Sequence, residues 1–245
     1  LLLDIGGGST ELILADSRDA RALTSTRVGA VRLQRDFIKE EPLSPQRRSF
    51  LQAFIQGSLE PAVDKVLRRI KSGEKPVLVA TSGTAMAIGA LAASEDDRPQ
   101  LKFHGYKVSR SRLDRVVERL VVMTPAQRRE ISAINDRRAE IIVPGALILQ
   151  TTMKMLAVDG LVLSERALRE GLIVDWMLRQ GLLEDRFSFQ SSIRQRTVIH
   201  QVQRFAVNQE RAEKVASHAL TLYDRTKGVI HQDDGQGREL LWAAS

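Results

Sequence analysis

Eight consecutive residues near the start, Asp4-Ile5-Gly6-Gly7-Gly8-Ser9-Thr10-Glu11, constrain this chain more than any other stretch. They join an apolar run, Leu1 to Ile5, to an alternating one, Glu11 to Ala15, and so read as strand, tight turn and strand. A turn can be made with a single glycine, so three in succession beside an acid and two hydroxyls ask for a further purpose. Without Cβ atoms, successive backbone N–H groups can converge on an anion. A carboxylate at the strand end can hold a divalent cation beside phosphate oxygens that would otherwise repel it. Asp4 is therefore the candidate carboxylate for Mg²⁺, with Gly6, Gly7 and Gly8 as candidate phosphate binders. Ser9 and Thr10 can add hydroxyl donors, and Glu11 can position water or metal. The plainer alternative is a hairpin whose glycines serve only the turn.

The rest of the chain alternates strand and helix signals. A third strand is expected at Ala22 to Val28 and a short helix at Val31 to Ile38. Ser44-Pro45 starts a long helix, interrupted by Pro61 and ended by Gly73, which reads as one kinked helix or two in tandem. Pro76 to Ala80 is a buried strand that passes through Thr81-Ser82-Gly83-Thr84 into an Ala-rich helix, Ala85 to Ala93. A charged loop follows. Leu113, Val116, Val117, Leu120 and Val121 then mark an amphipathic helix, and Thr124-Pro125 caps a short one. Arg138 to Val158 reads as a buried helix, Leu161 to Leu163 as a last strand, and Glu165 to Arg179 as a helix with Leu168, Leu172 and Trp176 in line. Beyond the polar stretch Glu184 to Ser192 only helices are expected. These elements give an α/β class with two domains, 1–183 and 187–245.

Composition narrows the chemistry. There are no cysteines, which removes disulfides, thiolate metal sites and a cysteine nucleophile. The longest apolar run, Ile141 to Leu149, is far below the roughly 20 residues that cross a bilayer. A net charge of +7 favours an anionic partner. With aromatics at only 4%, nucleic acid is a weaker choice than polyphosphate, because single-strand readers stack bases on aromatic rings.

The stretch from Asp4 to Glu11 resembles the exopolyphosphatase and guanosine pentaphosphate phosphohydrolase (Ppx/GppA) family of the actin-like ATPase superfamily. The resemblance extends through Val28-Gly29-Ala30-Val31-Arg32-Leu33, Ala80 to Thr84, Arg138-Ala139-Glu140 with Pro144-Gly145-Ala146, and Ser164 to Gly171. It implies an actin-like (ribonuclease H-like) domain followed by the start of an all-α HD-like domain. It also implies that a first actin-like domain, with the general base, lies before Leu1, so that this piece is expected to be inactive alone. By the same resemblance Asp4 is the metal-associated carboxylate, Gly6, Gly7, Gly8 and Ser9 bind the terminal phosphate, and Glu11 assists. The turn Thr81-Ser82-Gly83-Thr84 matches the region that holds adenosine in nucleotide-binding relatives, so Ser82, Gly83 and Thr84 are expected to shape the cleft, or to make a plain strand-to-helix turn.

Arg32 and Arg138 can neutralise phosphate oxygens, or pair in ordinary salt bridges. Arg169-Glu170-Gly171 reads as helix packing and ion pairing. Arg186, Arg194, Arg196, Arg204, Arg211 and Lys214 form a candidate track for a phosphate chain, or a solvated face. His218 is placed like the first histidine of an HD-type metal site, whose further ligands the sequence does not supply. The expected substrate is a polyphosphate or guanosine polyphosphate, the cofactor Mg²⁺, the setting cytoplasmic and the assembly a homodimer, without a membrane partner. Two rivals belong to other classes: an actin-like ATPase or sugar-kinase-type ATP-binding domain, and a polyanion-binding scaffold.

Overall fold

The computed structural model describes residues 1–16, 20–94, 102–180, 182, 198, 201–202, 204–231 and 235–245. They form two compact units, one within residues 1–184 and the other within 185–245.

The first unit is built on a mixed six-stranded sheet. Its strands are β1 (Leu2–Ile5), β2 (Thr10–Ala15), β3 (Ala20–Thr26), β4 (Leu78–Thr81), β5 (Lys107–Ser109) and β6 (Gly160–Leu163), in the order β3-β2-β1-β4-β6-β5. β1, β4 and β6 run parallel, whereas β2 is antiparallel to β1 and β3, and β5 to β6. Alternation sets the two faces. Leu3, Ile5, Leu12, Leu14, Ala22, Leu78, Ala80, Leu161 and Leu163 are buried, and the core helices pack on their side. Leu2, Asp4, Glu11, Ile13, Val79 and Val162 lie on the other face and are only half-buried, and Ser25 on the same face is exposed.

The helices of this unit are α1 (Ala30–Phe37), α2 (Pro45–Leu67), α3 (Ser82–Ala93), α4 (Arg110–Val121), α5 (Pro125–Arg129), α6 (Asp136–Ala139), α7 (Ile142–Met155) and α8 (Leu168–Arg179). The buried α7 is the hub, touching α1, α2, α3 and α4. Its Pro144 falls in the first turn, where no N–H is needed.

One alternative is decided and two expectations change in detail. α2 passes through Pro61 as one helix. Pro61 and Gly57, four residues earlier, are both exposed, so water can take the carbonyl that proline leaves free. The expected helix from Arg138 to Val158 divides into α6 and α7, because the Asn135 side chain accepts the Arg138 N–H at 3.0 Å and caps a separate turn. Lys107–Ser109, read as loop, is an edge strand whose single buried residue, Val108, gives too short an alternation to see.

In the second unit α9 (Gln209–Thr226) and α10 (Gly235–Ala244) pack together, joined by the Asp224–Arg238 ion pair at 2.8 Å. Among the described residues, no helix is long and apolar enough to cross a membrane.

Candidate functional site

The loop between β1 and β2 closes on itself. The Gly6 N–H donates to the Ser9 carbonyl at 2.8 Å, which gives Gly6 a turn-forming bond in place of the expected ligand contact. The loop's outward carbonyls are taken by α1: Ala30 N–H donates to Gly6 O and Arg32 N–H to Gly7 O, both at 3.0 Å. Gly29 lies flat against the Gly7–Gly8 peptide, where a methyl group would overlap backbone atoms. With those carbonyls anchored, the N–H groups of Gly7, Gly8 and Ser9 donate to no described residue. Three consecutive amides without an acceptor among the described residues, in an exposed glycine loop, are available to an anion.

The hydroxyls divide. Thr10 is 1% exposed, and its Oγ1 donates to the Val28 carbonyl at 2.5 Å, pinning β2 to the approach of α1. Thr10 is thus a structural pin and not a phosphate donor. Ser9 Oγ donates to Glu11 Oε1 at 2.8 Å, and Ser25 Oγ reaches the same oxygen at 2.7 Å.

Across the sheet, Ser25, Glu11, Asp4 and Thr81 stand in one row, each opposite the next. Thr81 Oγ1 donates to the Ser164 and Arg166 carbonyls at 3.2 and 3.1 Å. Asp4 has no hydrogen bond or ion pair to any described residue, and faces another carboxylate. Burial lifts its carboxyl pKa above the ordinary value, and the charge of Glu11 lifts it further. Two half-buried carboxylates opposite one another fit a divalent ion, with the Ser9 oxygen lone pairs beside it.

The turn after β4 meets the same end of the sheet. Ser82 has a φ of 91°, a strained backbone for a residue with a side chain, and its Oγ is buried without a partner. The Arg138 guanidinium lies over Gly83, where a methyl would sit 2.6 Å from Nη2. No described residue pairs with that guanidinium. Thr84 instead packs on α7, its Cγ2 2.5 Å from where a Gly145 methyl would stand. Arg32 follows the loop on α1, with its side chain 3.7 Å from Asp36.

The other sequence candidates fall elsewhere. His218 is exposed on α9, and the described residues hold no group of three or more metal-ligating side chains. Arg186, Arg194 and Arg196 lie outside the described residues; Arg204 sits 5.6 Å over its neighbour Phe205, and Lys214 pairs with Glu210 at 2.7 Å. Glu170 receives the Ala167 N–H at 2.8 Å at the start of α8, consistent with a helix-building part. Ser25 and Gly29 were not singled out as site residues in the sequence, since their proximity depends on strand register and on how α1 docks. A cavity of about 820 Å³ opens at the opposite end of the sheet, lined by residues such as Lys75, Val77, Lys107 and Asp159, and takes in none of these groups.

Comparison with known proteins identifies the family. Residues 1–180 match the Ppx/GppA phosphatase family. A guanosine-5'-triphosphate,3'-diphosphate pyrophosphatase of Vibrio vulnificus is 31% identical over 245 residues, covering 98% of this chain and 45% of the relative. An exopolyphosphatase 1 of Mycobacterium leprae is 30% identical over 214 residues, covering 86% of this chain and 60% of the relative. The chain thus spans about half the length of the curated relatives it matches. The crystal structure of the Aquifex aeolicus Ppx/GppA family member superposes with a TM-score of 0.62 at 26% identity, over 73% of this chain and 56% of that one. Motif, sheet and sequence relatives converge: the chain belongs to the Ppx/GppA phosphatase family.

Proposed function

We propose that this chain carries the phosphate-gripping half of a phosphohydrolase that releases terminal phosphate from inorganic polyphosphate or guanosine pentaphosphate. The observation that carries the reading is the set of three free amides at Gly7, Gly8 and Ser9 beside the facing carboxylates of Asp4 and Glu11. Relatives named for each of the two substrates support it. In such a site the amides hold the equatorial oxygens of the terminal phosphoryl group, and positioning and electrostatics do most of the work. Asp4 and Glu11, with the Ser9 oxygen, would hold Mg²⁺, which when bound neutralises charge on the phosphate oxygens. Arg138, extended over the Gly83 turn, supplies a fixed cation at the same end of the sheet.

The fold reading goes with it. The order β3-β2-β1-β4-β6, with β2 antiparallel to its neighbours, supports an actin-like, ribonuclease H-like domain over 1–183. The paired helices α9 and α10 are compatible with the start of an HD-like helical domain over 187–245.

The test is phosphate release by the full-length protein from long-chain polyphosphate and from guanosine pentaphosphate, with and without Mg²⁺. The wild type is expected to act on at least one of them in an Mg²⁺-dependent manner, with Asp4→Asn and Ser9→Ala, each of which disturbs an oxygen that holds the cation, slower by about 10- to 100-fold. Variants that release phosphate at the wild-type rate contradict the site.

A further inference from the structure

Ser25 has no place in the reading above, yet it touches the side chain that touches the loop. It stands on β3 directly opposite Glu11 on β2. Its hydroxyl donates to Glu11 Oε1 at 2.7 Å, and the Ser9 hydroxyl donates to that same oxygen at 2.8 Å. Two hydroxyls from two segments converge on one carboxylate oxygen.

A hydroxyl has one hydrogen and two lone pairs. With its hydrogen committed to Glu11, Ser9 can offer only lone pairs to whatever the loop holds. It can face a cation, and it cannot donate to a phosphate oxygen. That polarity holds only while Oε1 stays where it is. Glu11 has a flexible side chain at a half-buried position, and on its other side in the register stands the like charge of Asp4. Ser25 supplies the opposing hold: its side chain has a single rotor, and its backbone is fixed in the β2–β3 ladder.

We infer that Ser25 is a positioning residue for the phosphate loop: acting through Glu11, it fixes the direction of the Ser9 hydroxyl. The inference rests on the phosphohydrolase reading for its effect on rate, and on the hydrogen-bond geometry alone for its effect on Ser9.

The test compares wild type, Ser25→Ala and Ser25→Thr in the full-length protein by two readouts. The first is phosphate release from polyphosphate with Mg²⁺. Ser25→Ala is expected to lower kcat about tenfold with KM and the melting temperature little changed, as loss of an outer-shell partner does; Ser25→Thr, which keeps the hydroxyl, restores kcat. The second is the Ser9 side-chain torsion by NMR coupling constants, a single rotamer in the wild type and an average in Ser25→Ala. An unchanged kcat with an unaveraged Ser9 torsion overturns the inference. So does a loss of kcat that follows a loss of melting temperature and is not restored by threonine. If the wild type releases no phosphate but the Ser9 torsion averages in Ser25→Ala, the phosphohydrolase reading fails while the positioning role stands.

Discussion

Asp4 and Glu11 stand opposite one another on adjacent strands, and holding two carboxylates there costs stability. Burial raises the Asp4 pKa above its ordinary 3.8, with Glu11 adding to the effect, so the folded chain holds the Asp4 proton more tightly than the unfolded one. The penalty is absent below pH 3.8, grows as pH rises toward the raised pKa, and is complete above it. Asp4→Asn is therefore expected to raise the melting temperature at neutral pH, with the gain fading as pH falls toward the ordinary aspartate range. A thermal melt series across pH checks this, and a variant less stable than wild type at pH 7 contradicts it. Asp4 and the glycines could be read from the sequence because their chemistry is local: an acid, a run without Cβ atoms and a hydroxyl in eight residues. The division between Ser9 and Thr10 could not, because the side of the turn that faces Val28 is fixed by tertiary packing.

The elements that hold the site depend on two close approaches. α1 docks on the loop through Gly29, whose missing side chain lets the Gly7–Gly8 peptide lie against it. Gly29→Ala should cost about 1–3 kcal/mol by overpacking, read as a lower denaturation midpoint in urea with an unchanged slope. The second is a buried arginine. Arg128 is fully buried, paired with Glu41 at 2.9 Å and donating to the Ala139 and Met123 carbonyls at 2.6 and 2.8 Å. It thereby ties down the end of α6, the helix that carries Arg138. Arg128→Ala leaves a buried carboxylate and two carbonyls without partners and should cost about 3–5 kcal/mol, measurable in the same titration. The helices themselves were legible wherever a cap met a periodic run, as at Ser44-Pro45 and Thr124-Pro125. Arg128 was not, because Gln127-Arg128-Arg129 looks like any solvated charged turn until its neighbours are known.

At the scale of the whole molecule, the sheet order could not be derived from alternation alone, since β1, β4 and β6 are joined through crossovers more than 60 residues long. The resemblance carried by Asp4 to Glu11 and the later motifs supplied what periodicity could not, and the family match over residues 1–180 agrees with it. The net charge of +7 favours polyanions without choosing among them, so the choice rests on the loop. The decisive observation is where a phosphate chain binds. Tripolyphosphate added with Mg²⁺ to the ¹⁵N-labelled chain should shift the amides of Gly7, Gly8 and Ser9 together, while Gly6, whose N–H closes the turn, moves least. Shifts confined to the basic residues of the second unit, with the three loop amides unmoved, would contradict the phosphate-gripping loop.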